Sequence, residues 1–177
     1  PRTPTKWINY IGSRAFGGFV DHTGGALLCK GDPAQNRIVK YVQQQPDGAF
    51  NGTTLYLRLR EAGGGRRVVS PFFVPGLELP EEFECRVGLG YTRIVSLLHG
   101  VRTDAVIFVP PDEHVELRDI TITNAGDGDI EIDVVPVVEY SPPQALMLFT
   151  NADWVPQTMI SRAMREPGGL CTLLQYP

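Results

Sequence analysis

The chain has 177 residues, 42% of them hydrophobic and 20% charged, with a formal net charge of −4. That composition suits one globular domain with its own core, excludes disordered and collagen-like classes, and holds no apolar run near the ~18 residues of a membrane-spanning helix. The 16 basic residues stand singly or in pairs such as Arg66–Arg67, which leaves no basic stripe for nucleic acid.

In chain order, the sequence opens on PRTPTKW without a Met and stops at LLQYP inside a predicted strand, so we expect a piece of a longer polypeptide. DPAQNRIVKYVQQ places Asn36, Arg37 and Lys40 at the start of a strand, where side chains project from a sheet rim. QQQPDGAFNG (Gln43–Gly52) reads as a longer polar loop. In TTLYLRLR, Leu55, Leu57 and Leu59 alternate with Tyr56, Arg58 and Arg60, the period of a strand with one face on a core. EAGGGRR follows as a Gly-rich hairpin tip. Glu81 and Glu82 read as a solvated turn, and Cys85, alternating with Phe83 and Val87, as a core residue. VRTDAVIFVP points Val101, Ala105, Ile107 and Val109 inward, and FVPPDEH is turn chemistry leading to the next strand. In HVELRDITIT the apolar parity switches between Leu117 and Ile120, which predicts a bulge or a change of sheet. NAGDGD (Asn124–Asp129) predicts a hairpin turn. Beyond it, Ile130, Ile132, Val134, Pro136 and Val138 are assigned to one face, and Pro136 predicts an edge strand because it cannot donate to a ladder. Many short strands at this spacing, with no capped 3.6-residue pattern, predict a single all-β domain, an antiparallel β-sandwich spanning residues 1–177.

Chemistry is sparse. His22, His99 and His114 lack the spacing of a metal site, and there is no nucleophile elbow, P-loop or dinucleotide fingerprint. Three cysteines, Cys29, Cys85 and Cys171, form no CxxC pair, which fits a reducing, cytoplasmic setting. No metal, cofactor or catalytic residue is assigned to this chain. Two stretches offer ligand chemistry. Asn36, Arg37 and Lys40 carry donors suited to sugar hydroxyls or a phosphate. In TNADWVPQTM, Trp154 can stack on a sugar ring while Asn151, Asp153 and Gln157 bind hydroxyls. The alternative for both is a loop that caps its own backbone and plugs an end of the sandwich with its Trp, and the residues alone favour that alternative.

Taken in order, WINYIGSRAFGGFVDHTGG, QNRIVKY, FECRVGLGYTRI, HGVRTDAVIFVP and RDITITN resemble the N-terminal domain of the cellobiose phosphorylase family, glycoside hydrolase family 94. The hallmarks are Trp-x-Asn-Tyr at Trp7–Tyr10, Thr-Gly-Gly at Thr23–Gly25, Arg-x-Gly-x-Gly-Tyr at Arg86–Tyr91 and IFVP at Ile107–Pro110. QNR, TTLYLRL, SPFFVP and TNADWVPQTM are most similar to the 1,2-β-oligoglucan phosphorylases. The resemblance implies a galactose-mutarotase-like super-sandwich followed by a catalytic (α/α)6 barrel outside this chain. It implies an inverting phosphorylase acting on β-glucooligosaccharides, with inorganic phosphate as co-substrate and no cofactor, and a general acid on the barrel. It also implies a homodimer in which two sandwich segments, Gly25–Gln45 and Ser141–Gln157, wall the partner's active site. The other readings are a cellobiose or cellodextrin phosphorylase within the same family, a free-standing carbohydrate-binding module and a purely structural domain.

Overall fold

The computed structural model describes residues 1–42, 48–60, 64–146 and 160–176. Twelve strands are formed among them: β1 (Ile8–Gly12), β2 (Phe16–Asp21), β3 (Ala26–Lys30), β4 (Thr53–Arg60), β5 (Arg66–Val69), β6 (Glu82–Gly88), β7 (Tyr91–Leu98), β8 (Val101–Phe108), β9 (Leu117–Asn124), β10 (Glu131–Val138), β11 (Ile160–Arg165) and β12 (Cys171–Tyr176). They pair antiparallel into four sheets, ordered β1-β2-β3, β10-β4-β5, β6-β7-β8-β9 and β11-β12. The all-β, antiparallel expectation holds.

Each sheet follows from period-2 alternation. Leu55, Leu57 and Leu59 of β4 are buried, as are Val101, Ala105, Ile107 and Val109 along and just beyond β8. Register places Ile94 opposite Ala105, Thr92 opposite Ile107 and Leu98 opposite Val101, so β7 and β8 present one continuous inner face. That face and β4 share a single core with Phe16, Val20, Leu28 and Phe72. Phe83 and Cys85 pack against it from β6, whereas Val87 lies outside. The β4–β5 pairing matches the predicted Gly-rich hairpin. Glu82 meets Arg102 at 2.9 Å and Glu81 caps the amide of His99, both exposed as expected, but Glu82 is the first residue of β6 and not part of a turn.

Three local expectations need correction. No bulge interrupts β9, which pairs with β8 without a break from Leu117↔Phe108 to Asn124↔Val101. The parity switch arises because Arg118, not an apolar residue, takes the inward position opposite Ile107. Its guanidinium donates to Glu116 Oε1 (2.6 Å), Gly24 O (2.9 Å) and Thr53 Oγ1 (2.6 Å), which satisfies the charge in place. Nor does NAGDGD close a hairpin. It carries the chain from β9, paired to β8, across to β10, paired to β4. Asn124 holds the turn by accepting from Gly126 N and donating to Gly128 O. Finally, β10 is the edge strand that Pro136 predicts, but only Ile130 and Ile132 of its assigned apolar row pack on the core. Val134 and Val138 remain nearly half exposed.

Two of the recurring motifs meet at one joint. The Asn9 amide, in Trp-x-Asn-Tyr, lies 3.2 Å from Gly88 O and 2.9 Å from Tyr91 O, both in the Arg-x-Gly-x-Gly-Tyr turn between β6 and β7. A Cβ on Gly88 would stand 2.1 Å from the Tyr91 ring, so only glycine lets that ring cross the strand. This joint ties the three-stranded β1-β2-β3 sheet to the four-stranded one.

Candidate ligand-facing rim

The Asn36–Lys40 stretch lies on the loop that leaves β3. Asp32 Oδ1 accepts from Ala34 N (2.8 Å), an Asx turn, and Lys30 N donates to Asn36 O (3.0 Å), so the loop doubles back on β3. Arg37 Nε donates to Pro33 O (3.1 Å) and its Nη1 to Tyr41 O (3.4 Å). Burial draws the guanidinium below its ordinary pKa, with the neighbouring Cys29 opposing. Lys40 Nζ meets Glu139 Oε1 at 2.5 Å. Arg37 and Lys40 therefore both brace the rim, while the Asn36 side chain stands exposed.

The loop is also pinned from below. Asp21 is fully buried at the end of β2. Its Oδ1 accepts from Thr23 N, Thr23 Oγ1 and Gly25 N, and its Oδ2 from Lys6 Nζ and Tyr41 Oη, both at 3.2 Å. Five donors in place of water are what a buried carboxylate requires. Burial first, and then the Asp21 charge, push the Tyr41 phenol well above its ordinary value, so Tyr41 stays a neutral donor. Thr-Gly-Gly is part of the same arrangement. Gly24 has φ +79°, and a Cβ on Gly25 would stand 2.6 Å from Asp21 Oδ2. The sequence carried a signal for this in the Asp-x-Thr-Gly-Gly spacing, but the roles of Asp21, Tyr41 and Asn9 depend on partners distant in the chain and were not anticipated.

The start of the Ser141–Gln157 segment, residues 141–145, lies along the same rim. Ser141 N donates to Ile38 O, Arg37 N to Pro143 O and Ala145 N to Ala34 O, each at 2.9 Å. The two segments singled out in the sequence, far apart in the chain, thus run side by side at residues 34–38 and 141–145. Asn151, Asp153, Trp154 and Gln157 lie outside the described residues.

Nothing described here forms a nucleophile or a metal centre. Among the described residues, no cluster of His, Cys, Asp and Glu could hold a metal ion. Burial pushes the Cys29 thiol up and the Cys85 thiol to about 11, which leaves both protonated and unreactive at neutral pH. His22 accepts from Trp7 N at Nδ1, so its Nε2 carries the proton toward Pro1 O and Thr3 Oγ1, a structural role. No helix among the described residues is long and apolar enough to cross a membrane.

The sequence model of the glycosyl hydrolase 94 supersandwich domain matches residues 1–176. The chain belongs to glycosyl hydrolase family 94. Similar family members include a solabiose phosphorylase of Paenibacillus borealis, 31% identical over 79% of this chain and 18% of its own length. An N,N'-diacetylchitobiose phosphorylase of Vibrio proteolyticus is 28% identical over 80% of this chain and 17% of its own. A 3-O-beta-D-glucopyranosyl-beta-D-glucuronide phosphorylase of Paenibacillus borealis is 30% identical over 71% of this chain and 15% of its own. The chain thus spans less than a fifth of the length of these curated relatives. As a family 94 supersandwich, its Asn9 joint and Asp21 hub read as the framework that sets the rim.

Proposed function

We propose that this chain is the N-terminal sandwich of an inverting glycoside phosphorylase that cleaves β-1,2-linked glucooligosaccharides with inorganic phosphate. The products are α-glucose 1-phosphate and an acceptor one sugar shorter. In that reaction a phosphate oxygen forms the new bond to the anomeric carbon as the glycosidic bond breaks. One protein carboxylic acid then suffices, to protonate the departing oxygen. We place that acid on a barrel that follows the sandwich, and assign no catalytic residue here. The sandwich packs on its barrel, takes part in a homodimer and lends its rim to the partner's active site. Within that rim Asn36, Arg37 and Lys40 bind the acceptor or phosphate together with Asn151, Asp153, Trp154 and Gln157. The assembly is expected in the cytoplasm.

The observation that carries this reading is the convergence of residues 34–38 and 141–145 into one backbone-bonded rim. A wall there serves phosphorolysis, which competes with hydrolysis and needs water kept from the sugar. The bracing bonds of Arg37 and Lys40 favour a second reading, in which these two only shape the rim and Asn36 alone reaches ligand. The test uses the full-length protein with phosphate and either β-1,2- or β-1,4-linked glucose oligomers. Release of α-glucose 1-phosphate from the β-1,2 set alone is expected. Release from the β-1,4 set alone would overturn the linkage, and release from neither would overturn the phosphorylase assignment.

A further inference from the structure

We infer that Tyr41 is a positioning residue for acceptor binding, whose hydroxyl, held by Asp21, fixes the end of the loop that presents Asn36. The role rests on the phosphorylase reading above, because that reading supplies the acceptor.

A ring alone would serve the packing at this position. Tyr41 is buried in a cluster with Leu27, Cys29 and Phe19, and the Phe19 ring meets it edge-on with centroids 4.8 Å apart. Phenylalanine would fill that space without taking a hydroxyl out of water. The hydroxyl donates to Asp21 Oδ2 at 3.2 Å. Asp21 has little need of it. A carboxylate offers about four lone-pair positions. Thr23 N, Thr23 Oγ1, Gly25 N and Lys6 Nζ already supply four donors. Three of those donors belong to the turn between β2 and β3, so Asp21 is fixed in place with or without Tyr41. The bond therefore acts on the loop, which gains a rigid, charged anchor. Burial first, and then the Asp21 charge, hold the phenol protonated, so the donor persists at neutral and alkaline pH.

From Tyr41 the restraint runs back to Asn36. The Arg37 guanidinium bridges the loop, with Nε on Pro33 O at 3.1 Å and Nη1 on Tyr41 O at 3.4 Å. Releasing the Tyr41 peptide thus releases one end of that bridge. Around Asn36 the backbone is bonded to fixed strands and to the neighbouring segment. Asn36 O accepts from Lys30 N at 3.0 Å, Arg37 N donates to Pro143 O and Ile38 N to Leu28 O, both at 2.9 Å. The Asn36 side chain itself is exposed. A short amide on a backbone held this way keeps one orientation.

Recognition of a sugar hydroxyl by an amide requires placement to within about 0.5 Å, which a loop tip achieves only when bonds behind it lock its path. Tyr41→Phe in the full-length protein keeps the ring and removes only the bond. The assay runs in the synthetic direction, with α-glucose 1-phosphate and whichever of β-1,2- or β-1,4-linked glucose oligomers the wild type accepts, and follows phosphate release. Tyr41→Phe should raise the KM for acceptor about five-fold and leave turnover at saturation within about two-fold. In an Asn36→Ala background the same change should raise KM no further, since the group it positions is gone. An unchanged KM in the single variant, or an equal rise in both backgrounds, would overturn the positioning role and leave the phosphorylase reading standing. A wild type inactive with both oligomers would overturn the two together.

Hydrogen exchange reads the anchor without catalysis. In full-length Tyr41→Phe the Ile38 amide should exchange about five-fold faster than in the wild type, while the Ile94 amide of the core strand β7 keeps its rate. Equal Ile38 rates in the two proteins would overturn the positioning role. So would a matching acceleration at Ile94, which would assign Tyr41 to the stability of the whole domain.

Discussion

Gly25 shows how much of this fold depends on the absence of one carbon. A Cβ there would press on Asp21 Oδ2 and stand 3.0 Å from Asn51 O. Asp21 cannot give way without losing some of its five donors. Gly25→Ala is therefore expected to cost more than ~2 kcal/mol, read as a lowered midpoint in chemical denaturation. Thr103 makes the converse case. Its hydroxyl and that of Ser96 face each other across β7 and β8, buried and without partners. Replacing Thr103 by the isosteric Val removes an unsatisfied polar atom, so Thr103→Val should stabilise by about 1 kcal/mol in the same measurement. A loss of stability would show that the two hydroxyls serve one another. The Thr103 effect is not visible from residue type alone, since strand register sets its neighbour Ser96.

At the scale of elements, strands were legible wherever apolar residues alternate, because burial of one face forces that period. The misreadings came where a polar residue turned inward. Arg118 occupies a core-facing position on β9, and its guanidinium is satisfied by Gly24 and Thr53, distant in the chain. Local pattern could register this only as a broken parity. Likewise NAGDGD has hairpin chemistry, but the partner of each flanking strand is set by sheet assembly, and the turn joins two sheets. Cross-strand charge gives a pH prediction at this scale. Arg93 on β7 grips Asp104 on β8 in a bidentate pair, Nε to Oδ1 at 2.8 Å and Nη2 to Oδ2. The hydrogen bond to Arg93 holds the Asp104 carboxyl below its ordinary value. A depressed native pKa contributes stability that is present above the unfolded value of ~3.9 and is lost as pH falls through the native one. The wild-type midpoint should accordingly fall more steeply below pH 4 than that of Asp104→Asn. Parallel curves would mean that solvent screening leaves the pair without effect.

For the whole molecule, the central question is whether the rim reaches a ligand. If it walls an active site, Trp154→Ala in the full-length protein should raise the apparent KM for acceptor several-fold while leaving turnover at saturating substrate within about two-fold. An unchanged KM would return that segment to a structural role. The sequence singles out Asn36, Arg37 and Lys40 for their donors and expects them at the start of a strand, whereas the structure places them on the loop that follows β3. That Arg37 and Lys40 spend donors on Pro33, Tyr41 and Glu139 was not legible, because those partners are chosen by the path of the backbone.

By itself, the sequence determined the all-β class, the positions of most strands, the edge placement of β10 and the family, because alternation, turn residues and motif order are local properties of the chain. Only the tertiary structure decided which strands pair, that Asn9 clamps the β6–β7 turn, that Asp21 gathers Lys6, Tyr41, Thr23 and Gly25, and that residues 34–38 lie against 141–145. Apart from Thr23 and Gly25, which the local Asp-x-Thr-Gly-Gly spacing brings to Asp21, these are agreements between segments distant in the chain. They arise when buried polar groups must find partners in a closed core, a condition that no stretch of sequence can state alone.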